Sequence, residues 1–231
     1  MEEKNFLLAG ASSGIGAALK NRLEASGYKV FTMGRKPISS SGHLEFDAQS
    51  SQPIAIPESW PQVFHGLAYL PGTIQLKPFH RSTEEDFLRD FQVNVLGFVR
   101  VMQAFLPSLK KAGGSSVVAF STVAANTGLG FHASISAAKG GLQSLCFSLA
   151  AELAPSGIRV NCIAPSITDT PLAAALLNTE EKKEASARRH PLNKIGSADE
   201  MAAAAAFLLS PEASWMTGQV LGIDGGFSRL K

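Results

Sequence analysis

The sequence predicts one α/β domain over residues 1–231, a doubly wound parallel sheet of about seven strands with helices on both faces. Three observations carry that expectation. Strand-like and helix-like segments alternate along the whole chain. The first strand runs into a glycine-rich turn that opens a helix. Several strand-like runs are short and almost wholly apolar, as strands covered on both faces are.

Asn5–Gly10 is the first such run, closed by the turn Gly10-Ala11-Ser12-Ser13-Gly14-Ile15-Gly16. A helix follows over Ala17–Ala25, with Leu19 and Leu23 at helical spacing and Gly27 placed to end it. Tyr28–Met33 is the second strand. Between Gly34 and Val63 four prolines and a Ser39-Ser40-Ser41-Gly42 tract leave room for one short strand near His43–Phe46. Leu67–Leu70 is the fourth strand. Thr83–Lys111 reads as a helix, with Ser82 or Thr83 as cap and Glu84–Asp86 in the first turn, where the helix dipole favours acids. Ser116–Ser121 is the fifth strand. Ser134–Leu153 is a long helix rich in Ala and Leu and almost uncharged, so the reading expects it to be covered on more than one side, by a second subunit. Arg159–Ile163, a helix over Ala198–Leu209 and a strand over Val220–Ile223 complete the alternation.

Composition narrows the function. With 45% hydrophobic and 17% charged residues the chain is neither disordered nor a polyelectrolyte. Twenty-one Lys+Arg against 19 Asp+Glu leave a formal charge of +2, too little for a nucleic-acid partner. Two cysteines, Cys146 and Cys162, supply neither a disulfide framework nor a four-cysteine metal site, and no metal is expected. The start Met1-Glu2-Glu3-Lys4-Asn5 is acidic, unlike a secretory leader, and no apolar run reaches the roughly 18 residues of a membrane span. A soluble cytoplasmic protein is the expectation.

A helix N-terminus offers unpaired N–H groups and a positive dipole end to a phosphate, and glycines let the chain approach closely. Gly10, Ser12, Ser13, Gly14, Ile15 and Gly16 are therefore candidate cofactor-binding residues, against the alternative of a tight connection with no ligand. After the second strand, Gly34-Arg35-Lys36 puts two cations where an acid would hold the ribose 2′-hydroxyl of NAD. Arg35 and Lys36 thus favour the extra phosphate of NADP(H), the alternative being a solvated basic loop. Asp47 either accepts from the adenine amino group or caps its loop.

These residues resemble the short-chain dehydrogenase/reductase family over nearly the whole chain, which implies a Rossmann-like fold. Besides the glycine turn, Asn94 in Phe91-Gln92-Val93-Asn94-Val95-Leu96-Gly97 is similar to the family's helix asparagine. Ser121-Thr122 stands where its strand-five serine pair sits, and Lys139 where the lysine of its Tyr-x-x-x-Lys motif sits. The stretch Asn161–Pro171, with Pro165, Thr168 and Thr170, resembles the segment beside the nicotinamide. Pro191–Gly196 and Thr217–Gly226 resemble the family's ending.

Four departures accompany the likeness. Ile135 stands where the family has tyrosine, and Thr122 where it has the catalytic serine. Tyr69-Leu70-Pro71-Gly72 keeps only the glycine, Gly72, of Asn-Asn-Ala-Gly, and the helices flanking strand three are trimmed to a proline-rich loop. The resemblance implies hydride transfer to a carbonyl carbon, with the tyrosine supplying the proton that the oxygen needs. Isoleucine carries no such proton, and losing a positioned general acid costs about 10²–10⁴ in rate.

Lys139 through a water held by Asn94, Thr122 and His132 are the candidate substitutes. Thr122 could equally cap its own loop, and His132, seven residues before Lys139 where related enoyl reductases place their tyrosine, could be a plain loop histidine. Ser121 completes the implied catalytic set, and Tyr69 is read as structural. Relatives that reduce dienoyl thioesters have a loop like Thr127-Gly128-Leu129-Gly130-Phe131, but their tyrosine, fifteen before the lysine, is here Ala124. The segment Glu180-Glu181-Lys182-Lys183-Glu184 before Arg188-Arg189 reads as a solvated helix face in the place of a lid. The expected function is an NADP(H)-dependent oxidoreductase acting on a carbonyl or activated C=C bond of a small-molecule or acyl-thioester substrate. A catalytically silent NADP(H)-binding sensor or structural subunit is the alternative, and Ile135 as a substituted position in an ordinary reductase is a third. A homodimer or homotetramer through Ser134–Leu153 is expected.

Overall fold

The computed structural model describes residues 4–230, so the acidic start at Met1–Glu3 lies outside the described residues. Strands β1 (Asn5–Ala9), β2 (Lys29–Gly34), β3 (Gly42–Glu45), β4 (Gly66–Tyr69), β5 (Ser115–Phe120), β6 (Ile158–Pro165) and β9 (Val220–Ile223) form one sheet in the order β3-β2-β1-β4-β5-β6-β9. Every neighbouring pair is parallel. The remaining strands, β7 (Thr168–Asp169) and β8 (Gly196–Ser197), pair with each other outside it.

Side chains alternate across each strand, and the apolar ones divide into two layers accordingly. Leu7, Leu67, Tyr69, Val117 and Ala119 pack on one face with Phe98, Val101, Phe105 and Leu109 of α3 (Gly97–Lys111) and with Leu142, Cys146 and Leu153 of α5 (Ala133–Leu153). Phe6, Leu8, Ala68, Val118 and Phe120 pack on the other with Leu19 and Leu23 of α1 (Gly14–Ala25) and Met201, Ala205 and Leu208 of α7 (Ala198–Leu209). The expected seven-stranded doubly wound sheet is what forms, and among the described residues no helix is long and apolar enough to cross a membrane.

Local chemistry moves some boundaries. Helix α1 begins at Gly14, inside the glycine turn, and ends at Ala25, two residues before Gly27 with φ +82°. The helix expected over Thr83–Lys111 is not continuous. It starts as α2 (Glu84–Phe91) under a Thr83–Asp86 capping box, widens into a π-helical turn over Gln92–Leu96, and resumes as α3. In that turn the Asn94 side-chain Nδ2 donates to the Asp90 carbonyl at 2.7 Å, taking the acceptor that an α-helix would offer to the Asn94 backbone N–H.

Residues 46–65 form neither helix nor strand, as the prolines predict. That loop is anchored by Trp60, whose ring lies 5.1 Å from Phe31 and 6.2 Å from Phe105. The β7–β8 pair had no signal in the sequence, being two residues long on each side. Helices α4 (Ala124–Thr127) and α6 (Glu180–Ala187) lie in the segments that follow β5 and β7.

Candidate active site

Strand order reverses at β1, which pairs with β2 on one side and β4 on the other. In an open parallel sheet the crevice beyond the C-terminal ends of the strands at such a point is where ligands bind. The glycine turn lies there. A Cβ on Gly16 would stand 2.2 Å from the Gly10 carbonyl oxygen, so only glycine lets α1 leave the strand this closely. Ser13 precedes the helix in extended conformation without a side-chain cap, and the first turn holds no acid. The first N–H groups of α1 are thereby left to an outside acceptor, with Ser12 and Ser13 exposed and Ile15 half-buried beside them.

The segment after β6 closes over this turn. A Cβ on Gly14 would lie 3.2 Å from Thr170 Cβ. Thr170 Oγ1 donates to the Thr168 carbonyl at 3.4 Å, and Thr168 Oγ1 donates to the Ser166 carbonyl at 3.0 Å. The Pro165 carbonyl accepts from Val123 N–H at 3.1 Å, tying β6 to the loop after β5. Arg35 and Lys36 follow β2 exposed, with no ion pair drawn to either among the described residues. Asp47 Oδ1 accepts from Gln49 N–H at 2.9 Å, so the side chain caps its own loop.

Deeper in, Gly72, Asn94 and Lys139 come together. A Cβ on Gly72 would be 3.5 Å from both Asn94 Oδ1 and Lys139 Nζ, so the two polar atoms face one point. Asn94 is fully buried and its Oδ1 has no hydrogen-bond partner among the described residues. Lys139 is 6% exposed and donates through Nζ to the Phe120 carbonyl at 2.5 Å. Burial lowers its amine to about 8, opposed in part by Cys162, Asp90 and Cys146, the titratable groups that face it. Ile135 is buried one helical turn before Lys139, on the same side of α5.

Other candidates have other partners. Ser121 Oγ donates to the Lys139 carbonyl at 3.1 Å and accepts from Gln143 at 2.8 Å, so it fastens β5 to α5. Thr122 is half-buried, and its hydroxyl oxygen accepts from Ala124 N–H at 3.2 Å. His132 precedes α5 with Nδ1 bonded to the Gly130 carbonyl at 2.6 Å, in its own loop. Tyr69 is structural: its hydroxyl donates to the Val93 carbonyl at 2.5 Å, and burial pushes its pKa up. Cys146 and Cys162 are free thiols within the core, as expected. Helix α6 bears the ion pairs Lys183–Glu180 and Arg188–Glu184 on its exposed side.

Two groups escaped the sequence reading. Asp90 lies fully buried next to Asn94, joined to Thr73, whose hydroxyl donates to Asp90 Oδ1 at 2.6 Å. The spacing Asp90-x-x-x-Asn94, which sets both on one helix face, was the available signal. His190, 4% exposed, bonds through Nδ1 to the Ser186 carbonyl and through Nε2 to Ser166 Oγ, both at 2.8 Å, and left no periodic trace.

Comparison with known proteins agrees with this architecture. A family model described as enoyl-(acyl carrier protein) reductase matches residues 55–228. A tropinone reductase homologue of Arabidopsis thaliana is 32% identical over 246 residues, covering 99% of this chain and 94% of its own length. A short-chain type dehydrogenase/reductase from Mycobacterium ulcerans has a TM-score of 0.89 at 26% identity, covering 100% of this chain and 92% of that one. A 3-ketoacyl-(acyl-carrier-protein) reductase from Brucella melitensis, complexed with NADH, has a TM-score of 0.83 at 25% identity, over 97% and 98% of the two chains.

Lys139 gives a pH prediction. Its folded pKa, about 8, lies below the value of 10.5 for a free lysine, so between those limits the unfolded chain binds more protons and stability rises with pH. Below pH 8 the group is charged in both states and contributes no slope. Paired thermal melts should therefore show wild type gaining on Lys139→Met from pH 8 to 10.5. A constant difference would place the amine in solvent.

Proposed function

Because the chain belongs to the short-chain dehydrogenase/reductase family of oxidoreductases, which bind nicotinamide cofactors, we propose that it is an NADP(H)-dependent reductase with altered proton delivery. Its substrate is a small molecule or acyl thioester bearing a carbonyl or activated C=C bond. The observation that carries this reading is the buried Lys139 amine facing an unpartnered Asn94 oxygen over Gly72, in the crevice the glycine turn opens on.

The residues present fit the cofactor. The glycine turn and the N-terminus of α1, with Gly10, Ser12, Ser13, Gly14, Ile15 and Gly16, would hold its diphosphate. Arg35 and Lys36 would hold the 2′-phosphate, and Pro165, Thr168 and Thr170 would line the nicotinamide side. When bound, NADP(H) supplies a hydride. The protein's part is then to bring a proton to the acceptor.

Ile135 takes the place of the family's tyrosine and has no proton to give. Lys139, whose amine is poised at about 8, has a proton available near neutral pH. Asn94 Oδ1 offers an acceptor that would hold a relaying water against it. Thr122 keeps its hydroxyl proton for a substrate oxygen, since its oxygen already accepts from Ala124 N–H. Ser121 serves by fixing α5 against β5. His132 is bonded to its own loop.

A second reading is favoured by the hydrocarbon at Ile135: a catalytically silent NADP(H)-binding sensor or structural subunit. Helix α5 leaves Phe147 exposed, and α2 leaves Leu88 and Phe91 exposed. These apolar residues support a homodimer or homotetramer through α5. Two free buried thiols suit a reducing, cytoplasmic setting.

Three outcomes test these assignments. NADPH should bind at least tenfold tighter than NADH in a fluorescence titration, with Arg35→Asp reversing the order. Equal affinities would remove Arg35 from the account. In stopped-flow NADPH oxidation against ketones and enoyl thioesters, turnover above about 0.1 s⁻¹ excludes the silent reading. There Ile135→Tyr should raise ketone reduction by about 10²–10⁴-fold, and no rise would mean that the pocket is built for other chemistry. Light scattering should give a dimer or tetramer, and a monomer would contradict the α5 interface.

A further inference from the structure

Asp90 is an expensive residue to keep where it stands. It is fully buried on the last turn of α2, one carboxylate oxygen accepts from Thr73, and the other, Oδ2, has no hydrogen-bond partner among the described residues. Taking an ionised carboxylate out of water with half its acceptor capacity unused opposes folding. An apolar side chain would line the same wall without that cost.

Hydrogen-bond direction shows what the acid does. An ionised carboxylate only accepts, so the single proton of Thr73 is committed to Asp90 Oδ1 at 2.6 Å. Thr73 Oγ1 is left as an acceptor, and it takes one Asn94 Nδ2–H at 3.0 Å. The other Asn94 Nδ2–H goes to the Asp90 carbonyl at 2.7 Å. Both amide protons are now engaged on the α2 side and the amide has one orientation. Its Oδ1 is turned out, unpartnered, to the point over Gly72 that Lys139 Nζ also faces.

We propose that Asp90 is a positioning residue: acting through Thr73, it sets the direction of the hydrogen-bond chain and holds Asn94 Oδ1 as the acceptor opposite Lys139. This rests on the reading of Lys139 and Asn94 as the groups that meet cofactor and substrate. An asparagine at position 90 can donate as well as accept, so the chain can reverse, with Thr73 donating to a turned Asn94 amide. The negative charge that supports the Lys139 ammonium is lost at the same time. Cys146 and Cys162, the other titratable groups facing Lys139, remain.

The test uses Asp90→Asn, Thr73→Val and Thr73→Ser in the full chain. Asp90→Asn should melt at or above the wild-type temperature and yet bind NADPH at least fivefold more weakly. The pH above which NADPH affinity declines should move downward, because without Asp90 the Lys139 amine loses its proton earlier. Thr73→Val should weaken NADPH binding similarly, Thr73→Ser should restore most of that loss, and the Asp90→Asn, Thr73→Val double variant should be no worse than the poorer single variant. Wild-type affinity and an unmoved pH limb in Asp90→Asn would overturn the proposal. So would melting temperature and affinity falling in parallel, with Thr73→Ser no better than Thr73→Val, since that marks a merely structural acid. A cofactor-free arm separates this from the cofactor reading: the stability gained by wild type over Lys139→Met on the alkaline side should begin at lower pH in an Asp90→Asn background. If wild type binds no nicotinamide nucleotide, the proposed function fails, and this arm alone decides the role of Asp90.

Discussion

The burial of one amine organises the centre of this molecule. Lys139 of α5 reaches the end of β5, and its ammonium is held by the Phe120 carbonyl rather than by a carboxylate. A cation in so poorly solvated a place depends on every dipole near it. Ser121 and Gln143 fasten α5 to β5, so the amine cannot retreat from the strand ends. Asp90 supplies a negative charge from α2, and the π-helical turn brings Asn94 to bear on the same point. Fold and chemistry are coupled here through hydrogen bonds with fixed direction.

Local structure is the part of this fold that the sequence makes legible. The glycine turn is legible because the Gly16 backbone must nearly touch the Gly10 carbonyl, a constraint that allows only one residue type. Alternating strands are legible because each inward side chain must find one of two helix layers. The loop over residues 46–65 follows from its prolines, although nothing in the order of residues announced Trp60 as its anchor on Phe31 and Phe105.

What escaped it is tertiary. Asp90 reads as one more charge on an amphipathic helix, and its burial comes from tertiary packing that joins α2 to α5 and sets Thr73 against the carboxylate. The π-helical turn depends on the Asn94 amide competing for a backbone carbonyl, which no periodicity records. Ser121 and Thr122 were adjacent candidates just past the end of β5, and only their tertiary partners separate them: Ser121 bonds to α5 and Thr122 to the loop that follows.

The proposed function joins a dinucleotide cradle at the glycine turn to the buried Lys139, with the hydrocarbon of Ile135 one helical turn before it. Calorimetric titration with NADPH at pH 7 and again near pH 9.5 tests it most directly. Binding should be saturable at pH 7 and weaken at the higher pH as the Lys139 amine loses its charge. Absence of heat at both pH values, with NADPH and with NADH, would contradict it.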